Sequence, residues 1–582
     1  MKKIAILVFV IAFSYFMFNN ENFLKICFGV ALFLYAMSVL ELSFKLLAGG
    51  FLTKLLKFAT KNRFKSFLFG LVSTGIMQSS GLVSVLAISF LSASMITMTA
   101  GLAIIFGANL GTTTGAWLVA GLGLKINIAH YAMPMIVFGI LISLNKEDKI
   151  KGSGYFLLSL GFLFLGIDYM KNGFDDIKAT IDLSKYAISG FKGVLIYTFV
   201  GIIATMIMQS SHATLTLTLA ALATSQINYE NAISIAIGSN VGSTVMAVIG
   251  SLNSNIEGKR LMIAHIIFNV SVAFLAVVLI NPFIILVDYT AQISNIANDD
   301  FTLKLAIFHT YFNLFGVLIF YPFTSKLAKF LNKILKSKQK ETVALYLDKN
   351  TLEFPDSAIE VLLKELRRLC EITAILILKT ISVEPKMLKT NLSQTQIVSR
   401  CKYAKKWDFD ENYEKFFKPL YSAIVDFSAK VKIDEKQAAT FMEIRRFGLL
   451  LAEAIKDIRN TADNFSKNIV SNNEIMQDEY NLLRKNIIKV LRICSDILDQ
   501  NNTDMIKEFI SMLEIENKNF ENLSLNYAQK YAQNIKISPK DLTSLMNDSC
   551  LCGNMTKKFI QVANIILQYD FSKNILLESE NS

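Results

Sequence analysis

The chain has 582 residues, of which 53% are hydrophobic, and it contains 44 Phe but only seven Pro. This composition excludes a wholly soluble protein and predicts a membrane protein with a soluble part attached. The formal net charge of +12 does not indicate a nucleic-acid partner, because many lysines and arginines lie in short segments beside apolar stretches, where they set membrane orientation.

The N-terminal part, residues 4 to about 325, consists of apolar stretches of roughly 18–28 residues, long enough to cross ~30 Å of hydrocarbon. Residues 1–22 are predicted to form an uncleaved first span, because no small-residue cleavage site precedes Asn19. Two apolar blocks with polar residues at their midpoints are interpreted as re-entrant helical hairpins, at about 67–93 and 193–226. The other predicted spans are about 23–50, 98–123, 127–144, 154–170, 231–252, 261–287 and 304–325.

The membrane part contains an internal repeat. A shift of the numbering by 131 places Gly201–Ser211 beneath Gly70–Ser80, and seven of these eleven positions are identical. The same shift aligns Gly107–Thr113 with Gly238–Thr244, so the polar residues are the best-matched part of the repeat. The predicted boundaries are 23–150 for repeat 1, and 151–325 for repeat 2 with the spans that follow it.

Charge predicts that the two repeats have opposite orientations. Residues 51–66 carry five lysines and arginines and no acid, and residues 325–340 carry six lysines and no acid. If neither hairpin crosses the membrane, both basic segments face the cytoplasm, and the chain has eight spans and two hairpins. The predicted fold class is therefore an all-α polytopic membrane protein with two inverted repeats, each with a re-entrant hairpin and an unwound span.

The repeated polar residues are candidates for a transport site. Broken helices survive at membrane depth where they line a polar cavity, and a helix N-terminus offers free N–H groups and a positive dipole to an anion. Glycine and hydroxyl residues around the two repeated asparagines would let a span unwind, and its carbonyl and side-chain oxygens would suit a sodium ion. The candidate anion-binding residues are Gln78, Ser79, Ser80, Gln209, Ser210 and Ser211; the candidate sodium-binding residues are Asn109, Thr112, Thr113, Asn240, Ser243 and Thr244. The alternative is that the small residues only let membrane helices pack closely.

These motifs resemble those of the type II sodium–phosphate cotransporter family. Each Gln-Ser-Ser turn is followed, 31 residues from Gln to Asn, by a Gly-x-Asn-x-Gly-[Thr/Ser]-Thr segment. The segments His265–Asn269 and His309–Asn313 also resemble an HxxFN element of that family. The resemblance covers about residues 25–325 and implies sodium-driven phosphate import at the cytoplasmic membrane, with the Gln-Ser-Ser turns at the phosphate and sodium sites.

The sequence departs from that family at the residue after each turn. Family members usually read Gln-Ser-Ser-Ser, whereas Gly81 and His212 occupy the fourth positions here. His212 is a further candidate for binding the anion or for making transport respond to pH. A buried neutral histidine that holds the turn is the structural alternative. Another small oxyanion or a carboxylate therefore stays open as the substrate.

Energetics favour ion coupling over a passive pore. Moving a dianion inward against an inside-negative potential costs about 4.6 kcal/mol per 100 mV, so at least two sodium ions are needed to cancel its charge. No GxxxxGK[ST] loop indicates nucleotide hydrolysis, and no pairing of a nucleophile with a base indicates an enzyme. A membrane phosphate sensor that binds the anion without net transport is an alternative of a different class.

The C-terminal part is predicted to be a separate helical domain. A basic linker, residues 326–340, leads into residues 341–582, where apolar residues recur at three- and four-residue steps. Tyr346–Asp348 through Leu366–Glu371, together with Glu453–Asn460, resembles a PhoU-like domain. This resemblance implies a cytoplasmic regulatory role. The resemblance maps a possible divalent-metal site to Glu453 and Asp457, whose spacing puts both carboxylates on one helical face. A solvated charged face is the alternative interpretation of that pair.

Overall fold

The structure is a computed structural model. It describes residues 13–48, 62–93, 95–124, 129–178, 187–252, 254–335, 344–353, 355–401, 403, 407–431, 435–500, 502–531 and 537–569. Most of the predicted first span, most of the basic segment 51–66 and the end of the basic linker lie outside these residues. The described residues are helices and their connections, without a strand among them, which confirms the all-α class.

The chain divides into two compact units. The first is drawn from residues 1–92 and 96–337, and the second from residues 93–95 and 338–582. The helices of the first unit are α1 (Glu21–Ala48), α2 (Arg63–Met77), α3 (Ser80–Ser92), α4 (Met98–Gly111), α5 (Thr113–Leu118), α6 (Ala129–Ser143), α7 (Asp148–Lys178), α8 (Gly190–Met208), α9 (Ser211–Ala223), α10 (Tyr229–Ser251), α11 (Ile256–Val278), α12 (Ile280–Ile293), α13 (Phe301–Phe320) and α14 (Thr324–Ile334).

The first unit has the helices of a multi-pass membrane protein. Within the described residues, seven helical segments are long and apolar enough to cross a membrane: Glu21–Phe44, Met98–Gly123, Asp148–Lys178, Gly190–Met208, Tyr229–Ser251, Ile256–Val278 and Phe301–Ile334. Six of the seven coincide with predicted spans. The seventh is α8, the first arm of the second predicted hairpin, whereas α6 is shorter than these seven. The count of eight spans with two re-entrant hairpins stays a prediction.

The two repeats are built from equivalent helices. Helices α3 and α9 have the same bounds once the numbering is shifted by 131, and α2 and α8 end at equivalent methionines. Both hairpins were predicted from the sequence, and both helix breaks fall at the predicted Gln-Ser turns. Opposite orientation of the repeats in the membrane remains a prediction.

Glycines let α2 cross α4, and α8 cross α10, at close range. A Cβ on Gly107 would overlap the carbonyl oxygen of Phe67, and a Cβ on Gly238 would overlap that of Thr198. These two contacts are again related by the shift of 131. The crossing therefore recurs in both repeats with the same backbone-to-backbone contact, as small residues allow in membrane helix packing.

The predicted unwound spans are wrong. Helix α10 is continuous through Asn240, and the first repeat stays helical through Asn109 and across the joint between α4 and α5, where Thr112 has φ −61° and ψ −23°. The glycines beside the asparagines serve the helix crossings, and the neighbouring hydroxyls bond to carbonyls of their own helix, so no carbonyl is released. The predicted span 261–287 is also interrupted, at Leu279 between α11 and α12.

The second unit is a helical assembly. Its helices are α15 (Pro355–Thr380), α16 (Gln394–Arg400), α17 (Phe409–Asn412), α18 (Lys418–Lys430), α19 (Glu435–Arg459), α20 (Ala462–Asn468), α21 (Glu474–Asp499), α22 (Thr503–Tyr531) and α23 (Pro539–Tyr569). Helix α19 packs against both α15 and α23, so early and late helices share one core. Inside it, the buried Arg484 guanidinium donates to the carbonyls of Ile381, Ser382 and Cys401.

Asp548, on α23, is a buried carboxyl that should make the second unit less stable as pH rises. Its Oδ2 accepts hydrogen bonds from the Tyr480 hydroxyl at 2.7 Å and from Asn464 at 2.9 Å, while Oδ1 has no partner. Burial raises the pKa of Asp548 to about 6. The folded state therefore holds the proton more tightly than the unfolded state, and stability falls between about pH 4 and pH 6, by at most about 3 kcal/mol.

The substitution Asp548→Asn should remove this pH dependence. Hydrogen exchange of α23 peptides in the full-length protein, corrected for intrinsic rates, is expected to be faster at pH 7 than at pH 5 in the wild type and equal in the variant. Asp541→Asn is the matched control on the same helix. The hydrogen bond from Ser538 lowers the pKa of Asp541, so the contribution of Asp541 to stability rises with pH instead of falling. Slower exchange of the wild type at pH 7 would contradict the burial argument.

Candidate transport site

The two hairpins turn at glutamines with the same unusual backbone conformation. Gln78 has φ 53° and ψ 26°, and Gln209 has φ 53° and ψ 23°, both in the left-handed region. A side chain other than glycine or asparagine is uncommon there, and such residues cluster at functional sites. Glycine would fit this backbone with less strain, so the side-chain amide is a candidate reason for glutamine at both turns.

The serine after each glutamine starts the second arm of its hairpin. Ser79 Oγ accepts a hydrogen bond from the Leu82 N–H at 3.2 Å, and Ser210 Oγ accepts one from the Ala213 N–H at 3.1 Å. Both serines therefore cap helix N-termini through their oxygen lone pairs and keep a hydroxyl proton to donate. Ser80 is buried and Ser211 half-buried in the first turns of α3 and α9. Each tip thus offers a positive helix end with hydroxyl donors.

The first hairpin tip meets the start of α9 at Gly115, which lies in α5. A Cβ on Gly115 would overlap His212 Nδ1 and would lie 2.7 Å from Gln78 Oε1. Gln78 also donates through Nε2 to the Gly75 carbonyl and, at 3.0 Å, to Thr114 Oγ1. Gln78 and His212, predicted as site residues from opposite repeats, therefore lie together. Thr114 and Gly115 are not among the predicted site residues, although they directly follow the predicted Thr112-Thr113 pair.

His212 is buried, 7% exposed, and its Nε2 has no hydrogen-bond partner. The structure therefore gives no partner through which Nε2 would hold the turn. A buried polar atom without a partner is rare in proteins, and such atoms occur where a ligand, water or ion completes the site. Because Nε2 is itself enclosed by protein atoms, anion binding and support of the turn both stay predictions for His212.

The departures at Gly81 and His212 form a size exchange between the repeats. The position equivalent to His212 is Gly81, and the position equivalent to Gly115 is Met246. A Cβ on Gly81 would lie 3.1 Å from Met246 Cβ, so Gly81 and Met246 are in contact. The equivalent contact joins His212 to Gly115, with the glycine and the large side chain in exchanged positions. The lost hydroxyl in hairpin 1 is therefore matched by packing, and the polar group at this position comes from repeat 2 alone.

The predicted sodium-binding hydroxyls bond within their own helices. Each donates to the carbonyl three residues earlier, at 2.6–2.8 Å: Thr112 to Asn109, Thr113 to Leu110, Ser243 to Asn240 and Thr244 to Val241. The four side chains are buried. Because the hydroxyl hydrogens point to the backbone, oxygen lone pairs remain available to accept a donor or bind a cation.

The HxxFN elements contact the repeated asparagines. His265 Nε2, on α11, lies 3.4 Å from Asn109 Nδ2, and His309 Nε2, on α13, lies 3.4 Å from Asn240 Oδ1. Asn313 Oδ1 also accepts from Asn240 Nδ2 at 2.7 Å. The i,i+4 spacing in the sequence puts each histidine and asparagine on one helix face, but the partner helix becomes visible only in the structure.

Glu453 and Asp457, the predicted metal-binding pair of the second unit, have no further potential metal ligand grouped with them among the described residues. Asp457 forms an ion pair with Lys558 of α23, so an ammonium group already neutralises this carboxylate. Within the described residues, no group of three or more His, Cys, Asp or Glu side chains is placed to hold a metal ion. The i,i+4 spacing of Glu453 and Asp457 is present as predicted, but the structure supplies no third ligand to the pair.

A multi-pass helical unit with two equivalent broken-helix hairpins is the architecture of a membrane transport protein. Residues 32–172 and 182–310 match the family model described as Na+/Pi-cotransporter, and this match supports placing the membrane unit in that family.

The relatives found by sequence similarity are distant. The chain is 27% identical over 282 residues to a Bacillus subtilis (strain 168) protein named "Uncharacterized protein YqeW", a match that covers 48% of this chain and 87% of that relative. It is 22% identical to proteins named "Putative inorganic phosphate export protein YjbB" from Salmonella typhimurium and Escherichia coli K12, with 59% and 57% of this chain and 61% and 60% of those proteins covered. No solved structure matches the chain.

Proposed function

We propose that this protein is a sodium-coupled phosphate transporter that works by alternating access. The observation that carries the proposal is the meeting of Gln78 with His212 at Gly115, because it brings residues of both predicted anion-binding turns to one place. The family match and the relatives named for phosphate export support phosphate transport in general.

The anion would bind between the hairpin tips. The N-termini of α3 and α9 supply partial positive charge, and the hydroxyls of Ser79, Ser80, Ser210 and Ser211 have protons to donate. Gln78, Gln209 and His212 complete the proposed shell. Phosphate offers four oxygens around one centre, which suits donors that approach from two sides.

Sodium would supply the driving force. Moving a dianion inward against an inside-negative potential costs about 4.6 kcal/mol per 100 mV. At least two sodium ions must enter with it to cancel its charge. The lone pairs of Thr112, Thr113, Ser243 and Thr244 and the amides of Asn109 and Asn240 are the proposed ligand pool. Oxygen ligands of this kind suit a hard cation.

Import is our proposed direction, and export is the second candidate. A symporter runs whichever way its combined gradients point, and an inward sodium gradient drives import. The relatives named for phosphate export favour the opposite direction. We further propose that the repeats are inverted, that the protein resides in the cytoplasmic membrane, and that the second unit is a cytoplasmic PhoU-like regulatory domain. The lysine-rich boundary before it supports that placement.

Flux measurements in proteoliposomes test the function. Radiolabelled phosphate should accumulate when sodium is higher outside, and should not accumulate with equal sodium or with potassium in its place. Release of preloaded phosphate as the only sodium-dependent flux would favour the export candidate. Binding without flux would favour a sensor. Sodium-dependent uptake of another labelled small anion, with none of labelled phosphate, would change the substrate. The absence of sodium-dependent flux in either direction contradicts the proposal.

A further inference from the structure

Asn240, the repeated asparagine of repeat 2, uses both the nitrogen and the oxygen of its side-chain amide in contacts. Asn313 Nδ2 donates to the His309 carbonyl at 2.9 Å, which fixes the orientation of that amide and leaves its Oδ1 to accept from Asn240 Nδ2 at 2.7 Å. Asn240 Oδ1 then faces His309 Nε2 at 3.4 Å, so this nitrogen carries the ring proton. The oxygen of Asn240 already has a donor.

The asparagine of repeat 1 is arranged differently. Asn109 Nδ2 donates to the Ile105 carbonyl at 2.9 Å and lies 3.4 Å from His265 Nε2. Because the amide nitrogen faces this ring nitrogen, His265 Nε2 has the role of acceptor in this contact. The two histidines therefore have opposite roles toward their asparagines, and the oxygen of Asn109 is left without a hydrogen bond.

A second amide oxygen without a hydrogen bond lies one helical turn from His265, the histidine that contacts Asn109. Asn269 Nδ2 donates to the His265 carbonyl at 3.2 Å, as Asn313 does at the equivalent point of its element, but Asn269 Oδ1 accepts nothing. Asn109 and Asn269 are 3% and 1% exposed, yet neither oxygen is fully enclosed by protein atoms. Buried carbonyl-type oxygens without donors are rare, and a cation or water normally occupies such a position.

We propose that only one of the two repeated asparagines in the ligand pool binds sodium: Asn109 Oδ1 of repeat 1 and Asn269 Oδ1 of the first HxxFN element hold the ion, whereas Asn240 has a structural role through its hydrogen bonds. Thr112 and Thr113 lie three and four residues after Asn109, on the same helix face, with hydroxyl lone pairs that extend the ligand set. Four neutral oxygens of this type suit a monovalent hard cation better than a divalent one, which favours carboxylates. The site accounts for one of the sodium ions in the proposed function, on which this inference rests.

The equivalent asparagines of the two HxxFN elements give a matched test. Asn269→Ala removes a proposed sodium ligand and only one hydrogen bond within its own helix. Asn313→Ala removes the partner of the buried Asn240 amide and no proposed ligand. Sodium binding is read in full-length protein in detergent at fixed phosphate, as the protection from thermal unfolding given by sodium chloride relative to potassium chloride.

Asn269→Ala should raise the sodium concentration for half-maximal protection at least about 10-fold, as expected when a hydrogen-bond-strength contact to a charged group is lost. Asn269→Asp, which keeps an oxygen ligand, should restore it. Asn313→Ala should lower the unfolding temperature and leave the sodium concentration for half-maximal protection within about two-fold of wild type, because no direct ligand is lost.

If the sodium concentration for half-maximal protection shifted equally in the two alanine variants, or did not shift in Asn269→Ala, the proposed site at Asn109 and Asn269 would be overturned. Sodium coupling itself would not be contradicted. Wild-type protein that sodium does not protect, and that shows no sodium-dependent flux, would overturn the proposed function as well. The two failures are therefore distinguishable.

Discussion

Replacing Gly115 with alanine should lower phosphate flux by about 100-fold or more, the scale expected when catalytic groups move by about 1 Å. The added Cβ would overlap the Nδ1 and Cε1 atoms of His212 and would crowd Gln78 Oε1 at 2.7 Å. Either the imidazole or the hairpin tip must move, and both belong to the proposed anion site. Radiolabelled phosphate uptake in proteoliposomes measures the loss.

A second substitution identifies the cause. His212→Ser shortens the side chain that the new methyl group displaces, so the pair Gly115→Ala with His212→Ser should recover part of the flux that Gly115→Ala loses. Gly121→Ala is the matched control in the same span, because a Cβ there meets nothing within 4 Å. A double variant as inactive as the single variant would show that the damage does not pass through the imidazole. Normal flux in Gly115→Ala would remove this contact from the transport site.

The positions of the hairpins could be predicted from the sequence because the signal was local and duplicated. A Gln-Ser-Ser group has no place in a lipid-facing helix, and its recurrence after 131 residues argued against chance. The structure puts left-handed glutamines at both predicted turns and starts α3 and α9 at equivalent serines. Local chemistry and repetition together were sufficient.

The same signals misled the prediction of unwound spans. Glycine beside asparagine fits either an unwound backbone or a close helix crossing, and only the neighbouring helix decides between them. At Gly107 and Gly238 that neighbour is the first arm of the adjacent hairpin, whose backbone touches the glycine directly. Thr112 and Ser243 then donate to the carbonyls of Asn109 and Asn240, so these carbonyls are not left free.

Contacts between residues far apart in the chain could not be predicted from the sequence, for a different reason. Gly81 lies against Met246, and at the equivalent contact His212 lies against Gly115. The complementary sizes of these side chains can be recognised only when both contacts are known. Likewise, the ion pair between Lys558 and Asp457 joins residues 101 positions apart and engages one of the two carboxylates of the predicted metal site. Spacing along one helix indicates a shared face, but it does not indicate what the face meets.

Serine-to-glycine substitutions at the two hairpin turns should abolish most transport at low phosphate while leaving the helix starts intact. Ser79 and Ser210 each serve as an N-cap, and replacement by alanine costs about 1 kcal/mol of cap stability, whereas glycine costs only a few tenths. Both replacements remove the hydroxyl proton that we assign to phosphate. Losing a hydrogen bond to a charged group should raise the phosphate concentration for half-maximal uptake by about 10- to 100-fold per site.

The comparison of glycine with alanine separates the two roles of these serines. If the hydroxyls bind phosphate, Ser79→Gly and Ser79→Ala should weaken phosphate affinity equally, while Ser79→Thr keeps the donor and should retain uptake. If the serine only caps α3, the glycine variant should transport like wild type. Ser89→Ala on the same helix is the control, because its hydroxyl donates to the Val85 carbonyl at 2.8 Å and has no proposed ligand. Equal results at Ser210 would show that both tips hold the anion, and a loss at one tip alone would assign phosphate to that hairpin.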